Sequence, residues 1–359
     1  MKNFFAKLKK RPTAFISVIV LVLLYCSMAF AEFIAPYSPN ETFRDHVYHP
    51  PELRWYSKTL GFGPQVQKRV LIDRITWKYA RVKGQYVRVM PFAKGSPYKL
   101  LGFIPMKRHL FGTSEDYDGT GKKTYPVFLL GADHMGRDIY SRIVYGSRIS
   151  LTIGFLGISI SLTLAIILGG LAGFFGGIWD WLIMRFAEFF ILIPGLYLIL
   201  FLRSIIPRDL DSGQSFLLIT VILAFVGWPG SARMIRGMVH SIKREDFIEA
   251  ARLQGIPSLV IVFRQIIPQM SSILIVSIAL GIPGFILGET ALSYLGLGIV
   301  DPAVSWGSML NKEITTLSNL KNFPWFLIPG FYILLTTLAF NFIGDLLRDI
   351  LDPYFRENK

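Results

Sequence analysis

The 31 residues ISLTIGFLGISISLTLAIILGGLAGFFGGIW (Ile149–Trp179) contain no Asp, Glu, Lys or Arg. A helix needs about 20 apolar residues to cross the hydrocarbon core of a bilayer, so this run predicts a membrane-spanning helix. A β-barrel would instead show short segments of alternating hydrophobicity. Five more runs are similarly apolar and are predicted to be spans: Thr13–Ala31, Trp181–Leu202, Ser212–Ala232, Gln265–Gly288 and Asn322–Gly344. The predicted fold class is an all-α polytopic membrane protein with six transmembrane helices.

The overall composition agrees with a membrane protein. Of 359 residues, 52% are hydrophobic and only 17% are charged, against about 25% charged residues in typical globular chains. Intrinsic disorder is excluded because disordered chains are poor in apolar and aromatic residues. Cys26 is the only cysteine, which excludes a fold held by disulfides within the chain.

The distribution of basic residues predicts the orientation. Five of them precede the first span and mark a cytoplasmic N-terminus: Lys2, Lys7, Lys9, Lys10 and Arg11. An even number of spans then places the C-terminus on the same side. The predicted division is a cytoplasmic N-terminus with the first span, an external segment, a five-helix core and a cytoplasmic tail: 1–34, 35–148, 149–346 and 347–359. A cleavable signal peptide ending near Ala29-Phe30-Ala31 is an alternative that would leave five spans.

The predicted external segment, residues 35–148, differs from the rest of the chain. It carries 19 basic and nine acidic residues, a net charge of +10. Partial alternation over Tyr79–Phe92, with Gly84 at a turn, predicts a short β-hairpin, and Asp116–Lys123 predicts a polar turn. The positive charge fits either an anionic lipid surface or an acidic partner protein.

The sequence IKREDFIEAARLQG (Ile242–Gly255) predicts a short amphipathic helix in the cytoplasmic loop 238–267. Gly255 followed by Pro257 is typical of a helix end. An apolar face on such a helix either packs against the chain's own spans or enters a groove on another protein. The residues expected on that face are Ile242, Phe247, Ala250, Ala251 and Leu253.

Glu249-Ala250-Ala251, Gly255 and the later Ile267-Pro268 together resemble the EAA loop of ATP-binding cassette (ABC) importer permeases. In that family the loop forms a coupling helix that docks on the ATPase subunit. The resemblance therefore implies coupling roles here for five residues: Phe247, Glu249, Ala250, Ala251 and Gly255.

Further segments are similar to the peptide, opine and nickel permeases, and match the C-type subunit of dipeptide and oligopeptide importers: Leu130–Leu151, Gly227–Gly237, Glu289–Leu310 and Pro324–Pro353. The resemblance covers roughly 1–40 and 130–356, whereas 40–129 is longer than the corresponding segment of the commonest members. It implies the type I ABC importer permease fold, with short β-strands expected in the insert between spans one and two. It also implies three kinds of partner: a second homologous permease, two ABC ATPase subunits and an external substrate-binding protein.

Several intramembrane residues are candidates for packing or function. Gly169, Gly173 and Gly177 recur every four residues, a spacing that lets another membrane helix approach closely. Pro194 and Pro283 are expected to interrupt spans three and five, as kinks or as hinges.

Charged residues in the spans form a second group of candidates. Arg185 and Glu188 are three residues apart, share a helix face and are expected to pair. Glu289 is a candidate for the transport pathway because ionisable residues inside membranes are costly. The family resemblance instead implies a structural carboxylate at that position.

The expected function is that of a permease subunit for ATP-driven import, with di- or oligopeptides as cargo. Nickel or another small solute is the alternative cargo within the same family. The chain is not expected to be an enzyme, since Gly121-Lys122 lacks the flanking residues of a phosphate loop. No metal, cofactor or nucleic acid is expected. Two other classes are a proton-driven secondary transporter, which would favour inverted repeats, and a membrane-anchored receptor or scaffold that works through 35–148.

Overall fold

The computed structural model describes residues 8, 11–113, 125–205, 210–314 and 317–351. The described helices are, in chain order, α1 (Pro12–Ala29), α2 (Ala31–Ile34), α3 (Ile139–Phe175), α4 (Gly177–Leu192), α5 (Gly195–Ile205), α6 (Ser212–Ile242), α7 (Asp246–Leu253), α8 (Ser258–Gln269), α9 (Ser271–Tyr294), α10 (Trp306–Glu313), α11 (Leu317–Asn322) and α12 (Ile328–Leu351). Of these, α1, α3, α6, α9 and α12 with its preceding 3-10 turn are long and apolar enough to cross a membrane. The pair α4 and α5 makes a sixth candidate, so the predicted all-α membrane class is confirmed.

Span three is bent sharply. Helices α4 and α5 meet at 94°, and Ile193 between them has an extended backbone. Pro194 explains the break, because proline lacks an N–H group and forces the preceding residue out of the helical region. The interruption of span three expected at Pro194 is therefore present. Pro283, by contrast, lies inside helix α9, which continues through it, so span five is not divided into two helices there.

The ends of the long helices differ from the apolar runs. Helix α3 begins ten residues before Ile149 and ends at Phe175. Gly176 and Gly177 have φ values of +67° and +55°, a left-handed conformation that favours glycine and separates α3 from α4. Helix α6 continues ten residues beyond Ala232. A helix can continue through charged residues at its ends. The apolar runs therefore predict only the apolar part of each helix and not the position of its ends.

The insert between the first two spans contains the six described strands: β1 (Arg54–Ser57), β2 (Gly61–Asp73), β3 (Lys78–Pro91), β4 (Lys94–Leu100), β5 (Ile104–Arg108) and β6 (Phe111–Thr113). A four-stranded sheet has the order β1-β2-β3-β6, and β4 pairs with β5. All pairs are antiparallel. This confirms the expected strands in the insert.

The predicted hairpin over Tyr79–Phe92 is wrong, because this stretch lies almost entirely in the single strand β3. Gly84 has φ +78° but lies in an irregularity of the β2–β3 ladder, where the register changes between Gln67 and Arg69. A β-bulge accommodates the left-handed residue without reversing the chain. The polar turn Asp116–Lys123, the basic residues before Arg11 and the tail beyond Leu351 lie outside the described residues.

The chain divides into two compact units. The helical unit comprises 1–21, 151–292 and 334–359, and one of its core clusters includes Ala165, Trp228 and Ile248. The strand-rich unit comprises 22–150 and 293–333. Its sheet packs around another cluster: Tyr37, Val66, Val87, Val89, Tyr125 and Val127.

Candidate functional site

Helix α7 carries the EAA residues and turns a small apolar face inward. Ile248 and Ala251 are buried, and both belong to the core cluster of the helical unit. Phe247, Ala250 and Leu253 are exposed, so of the five residues expected on the apolar face these three do not pack against the chain's own spans. Positions three apart share a helix face, and the Ile248–Ala251 pair defines the inward one.

The outward face of α7 combines apolar and acidic groups. The side chain of Leu253 is 85% exposed and that of Phe247 is 43% exposed, and Glu249 and Ala250 are exposed between them. Large apolar side chains in water favour association with another surface. Four of the five predicted coupling residues are therefore exposed, namely Phe247, Glu249, Ala250 and Gly255. The fifth, Ala251, is buried beneath this surface.

Gly255 ends α7 in a defined way. Its N–H donates to the carbonyl oxygen of Arg252 at 2.9 Å, and the N–H of Ile256 donates to that of Ala251 at 3.2 Å. This pair of hydrogen bonds is the Schellman motif. The motif requires a left-handed residue, and Gly255 has φ +72°. A structural cap therefore accounts for glycine at this position, whatever contact it also makes with a partner.

Two cations, one just before α7 and one within it, contact the C-terminal end of α3. Lys243 Nζ donates to the carbonyl oxygens of Gly173 at 2.9 Å and Phe174 at 3.3 Å. The last carbonyl groups of a helix have no partner within the helix and attract cations. The Arg252 guanidinium lies 4.9 Å from the centre of the Phe174 ring, a cation–π distance. The local sequence pattern carries no signal for either contact.

The environment of Lys243 also affects its charge. Partial burial and then the positive charges of Arg252 and Arg244 lower the pKa of Lys243 from its ordinary value of 10.5. Burial and like charges both disfavour the protonated amine. Each contact between Lys243 and the end of α3 acts in the opposite direction by stabilising the ammonium form.

The glycine row lies at a close crossing of α3 and α6. A Cβ atom at Gly169 would lie 2.5 Å from the carbonyl oxygen of Ala232, and one at Gly173 would lie 2.6 Å from that of Arg236. Only glycine permits backbones to approach this closely. Gly177 does not continue the row, since it begins α4 and a Cβ there would meet nothing within 4 Å.

The charged residues of α4 form ion pairs. Arg185 Nη1 lies 2.8 Å from Glu188 Oε2, and Arg233 lies 3.9 Å from the other oxygen of Glu188. Arg236 on α6 pairs with Asp180 through two nitrogens, one of them at 2.8 Å. These residues line a cavity of about 330 Å³. Exposed pairs of this kind contribute little stability, whereas the Asp180 pair links α4 to the helix that leads into α7.

Glu289 lies in α9 and is fully buried. It belongs to the helical unit and lies outside the loop 238–267 that contains α7. No group of three or more potential metal ligands occurs among the described residues.

The segment Leu130–Leu151 contains a buried ion cluster that sequence reasoning did not identify. Arg137 Nε lies 2.6 Å from Asp133 Oδ2, and Arg137 Nη1 lies 3.2 Å from Asp301 Oδ2. Arg142 lies 3.4 Å from the other oxygen of Asp301. The four side chains neutralise each other's charge. Removing one of them would leave an uncompensated charge in the interior, so these side chains are buried only together. Asp301 is 159 residues from Arg142, too far in sequence for spacing to reveal the pair.

Comparison with known proteins gives two family matches. The family described as "Binding-protein-dependent transport system inner membrane component" matches residues 165–357, which is just over half of the chain. The family described as "N-terminal TM domain of oligopeptide transport permease C" matches residues 1–51. Residues 52–164, including all six strands, lie between the two matches.

Individual relatives point the same way. The oligopeptide transport system permease protein OppC of Haemophilus influenzae is 38% identical over 67% of this chain and 76% of that protein. The dipeptide transport system permease protein DppC of Bacillus subtilis is 37% identical over 63% of this chain and 68% of that protein. The inward-facing MetNI methionine ABC transporter has a TM-score of 0.46 and 18% identity, covering 60% of this chain and 98% of that one.

Proposed function

Because this chain belongs to the family of binding-protein-dependent transport system inner membrane components, we propose that it is the permease subunit of an ATP-driven importer of di- or oligopeptides. The identity to OppC and DppC permeases over about two thirds of the chain supports peptides as the cargo. The chain is a multi-pass inner-membrane protein.

The outward face of α7 is the observation that supports coupling to an ATPase. This eight-residue helix buries Ile248 and Ala251 and leaves Phe247, Glu249 and Leu253 exposed. A helix held from one side and apolar on the other suits insertion into a groove on a partner protein. We assign this groove to an ABC ATPase subunit, which hydrolyses ATP in place of this chain.

The remaining parts of the assembly follow from this assignment. A second homologous permease completes the pathway, two ATPase subunits dock on the two α7 helices, and an external substrate-binding protein delivers the peptide. Both termini and α7 lie in the cytoplasm, and the strand-bearing insert lies outside. The basic residues around α7, including Arg244 and Arg252, support this orientation.

Force reaches the spans through the contacts of α7. Closure of the ATPase subunits moves α7, and Lys243 and Arg252 transmit that movement to the end of α3. The Arg236–Asp180 pair transmits it to α4. Packed side chains, ion pairs and rigid helices can carry coupling between distant sites.

The test is neutralisation of Glu249 in the complete transporter, with Glu245→Gln as the matched control. Both glutamates are exposed and lie on the same short loop, and Glu245 makes no side-chain capping hydrogen bond. We expect Glu249→Gln to lower peptide uptake per ATP hydrolysed about tenfold, equivalent to about 1.4 kcal/mol of coupling. Glu245→Gln should retain most of the uptake.

Two measurements accompany uptake. Immunoblotting of membranes should show equal amounts of both variants, since neither side chain is buried. ATP hydrolysis should continue in the Glu249→Gln transporter. Unchanged peptide uptake in that variant, at an equal amount of protein, would show that α7 is not the coupling element.

A further inference from the structure

The strand-rich unit contains a large cavity on the β2–β3 hairpin. Its volume is about 640 Å³, within the range of sites that hold a small ligand or a short peptide segment. Strands β2 and β3, the 3-10 turn Arg44–His46 and Tyr125 form its walls. The strands lie within 52–164, between the two family matches, so the permease families assign this cavity no role.

The walls of the cavity are strongly cationic. Its lining includes four basic side chains and one carboxylate: Arg44, Lys68, Arg69, Arg74 and Asp45. His46 adds no charge at neutral pH, because burial lowers its pKa, with Asp45 acting weakly in the opposite direction. The lining therefore has a net charge of +3, in a segment that already has a net charge of +10.

The four cations differ in how they are held. Arg69 Nε lies 2.8 Å from Glu52 Oε2, in a pair that is largely buried. The backbone N–H of Arg69 donates to the Tyr125 hydroxyl oxygen at 2.9 Å. Arg44 and Arg74 are exposed and form no ion pair with any residue in the described part of the chain. Arg69 is thus built into the wall, whereas Arg44 and Arg74 have guanidinium groups available for an anion.

The hairpin beside the cavity also exposes apolar side chains. Ile72 is 72% exposed and Ile75 is 90% exposed, on either side of Arg74. Strand β1 pairs with β2 only up to Gln65, and β6 pairs with β3 only from Val89. Among the described strands, the outer part of this hairpin is therefore two-stranded, an arrangement that is marginally stable in water without further packing.

We propose that this cavity binds a carboxylate-bearing peptide segment presented by an external partner protein. Guanidinium groups match the planar geometry of carboxylates and bind them through paired hydrogen bonds. A single small anion would leave most of the 640 Å³ empty, and a free peptide would leave Ile72 and Ile75 uncovered. The surface of an acidic protein would fill the cavity and cover the apolar rim together. Naming this partner as the substrate-binding protein rests on the proposed function, whereas the binding test below does not.

Binding is measured on the full chain in phosphatidylcholine nanodiscs. The probe is a fluorescein-labelled peptide with blocked ends in which Glu alternates with Leu, and the matched probe replaces each Glu by Gln. The cavity variant is Arg44→Gln/Arg74→Gln. The control variant, Lys99→Gln/Lys107→Gln, removes the same charge from exposed positions on β4 and β5, which do not line the cavity.

We expect the cavity variant to bind the Glu peptide at least about tenfold more weakly, a loss of about 1.4 kcal/mol. The control variant should stay within about twofold, since exposed charges outside a site contribute little. The Gln peptide should bind to neither. Equal weakening in both double variants would overturn the proposal in favour of general surface charge, and so would equal binding of the Glu and Gln peptides.

Two further experiments separate the possible sources of the anion, which are a carboxylate on a protein and the phosphate of a lipid headgroup. If the cavity variant loses binding to phosphatidylglycerol vesicles but retains the Glu peptide, the site recognises lipid headgroups and the proposal fails. In intact cells, a photoreactive amino acid in place of Ile75 should crosslink to an acidic protein, and the crosslink should disappear in the cavity variant. Peptide binding without any such crosslink would reject the protein partner. Because none of these readouts uses ATP, they succeed or fail independently of the Glu249 uptake test.

Discussion

Replacing Gly169 by Ala should force α3 and α6 apart. The new Cβ atom would lie 2.5 Å from the carbonyl oxygen of Ala232 and 3.1 Å from its Cα. Both atoms belong to the backbone of a membrane helix and cannot rotate out of the way. Ordinary van der Waals contact starts at 3.4 Å, so the helices must separate locally by about 0.9 Å, the difference between the two distances.

The energetic cost follows from two opposing effects. Adding a methyl group to a close-packed interface typically costs about 1–3 kcal/mol. Ala gains about 0.5–1 kcal/mol over Gly within a helix. The expected net loss for Gly169→Ala is therefore about 0–2.5 kcal/mol, centred on about 1 kcal/mol. Gly237→Ala on α6 is the matched control, because its Cβ atom would meet nothing within 4 Å and it should show only the gain.

The assay is thermal unfolding of the two purified variants in the same detergent, followed by size-exclusion chromatography. The helix-propensity gain is common to both substitutions, so their difference isolates the steric cost. We expect Gly169→Ala to melt a few degrees below the wild type and Gly237→Ala at or slightly above it. Equal melting temperatures for the two variants would refute the close backbone crossing at Gly169.

Three further predictions concern α7 and the strand-rich unit. Gly255→Ala should cost about 1–2 kcal/mol because Ala must adopt φ +72° in the left-handed region, and faster amide hydrogen exchange over 246–256 would report the frayed cap. Ile248→Ala should destabilise the chain by about 2–4 kcal/mol in thermal unfolding through a core cavity, whereas Phe247→Ala on the exposed side should leave stability unchanged and lower uptake. Burial lowers the pKa of His49 to about 3. Below about pH 6.5 the unfolded chain therefore binds a proton at His49 more readily than the folded chain does. The free energy of unfolding should fall as the pH drops from 6.5 towards 3, and His49→Phe should remove that part of the pH dependence.

The spans could be identified from the sequence because each is encoded locally. A charge-free run such as Ile149–Trp179 can satisfy its backbone only as a helix once it enters a bilayer. The position of α7 was likewise local, since Gly255 ends it in the left-handed conformation that few other residues adopt. The EAA spacing and the neighbouring segments were sufficient for the family, which the match over 165–357 confirms.

The difference between the two prolines could not be predicted from the sequence, which indicated an interruption at both. Pro194 separates two helices by 94°, and Pro283 leaves α9 continuous. Both prolines remove one hydrogen-bond donor and crowd the preceding turn. Whether the helix breaks then depends on which neighbours satisfy the freed carbonyl groups, and that is a property of packing in three dimensions.

The inward face of α7 was decided in the same way. Apolar residues surround much of this short helix, so the pattern DFIEAARL permits more than one buried face. Packing against the helical unit selected Ile248 and Ala251, and Lys243 and Arg252 hold that choice through contacts with Phe174, about 70 residues earlier in the chain.

The sequence by itself determined that the chain crosses the membrane, where its apolar helices lie, and which family it belongs to, because hydrophobic burial and helix capping act over a few residues. Only the tertiary structure decided which glycines touch a neighbouring backbone, which proline bends a span, and which charges meet, as Arg142 and Asp301 do across 159 residues. Those outcomes depend on distances between segments far apart in the chain, and no local pattern specifies such distances.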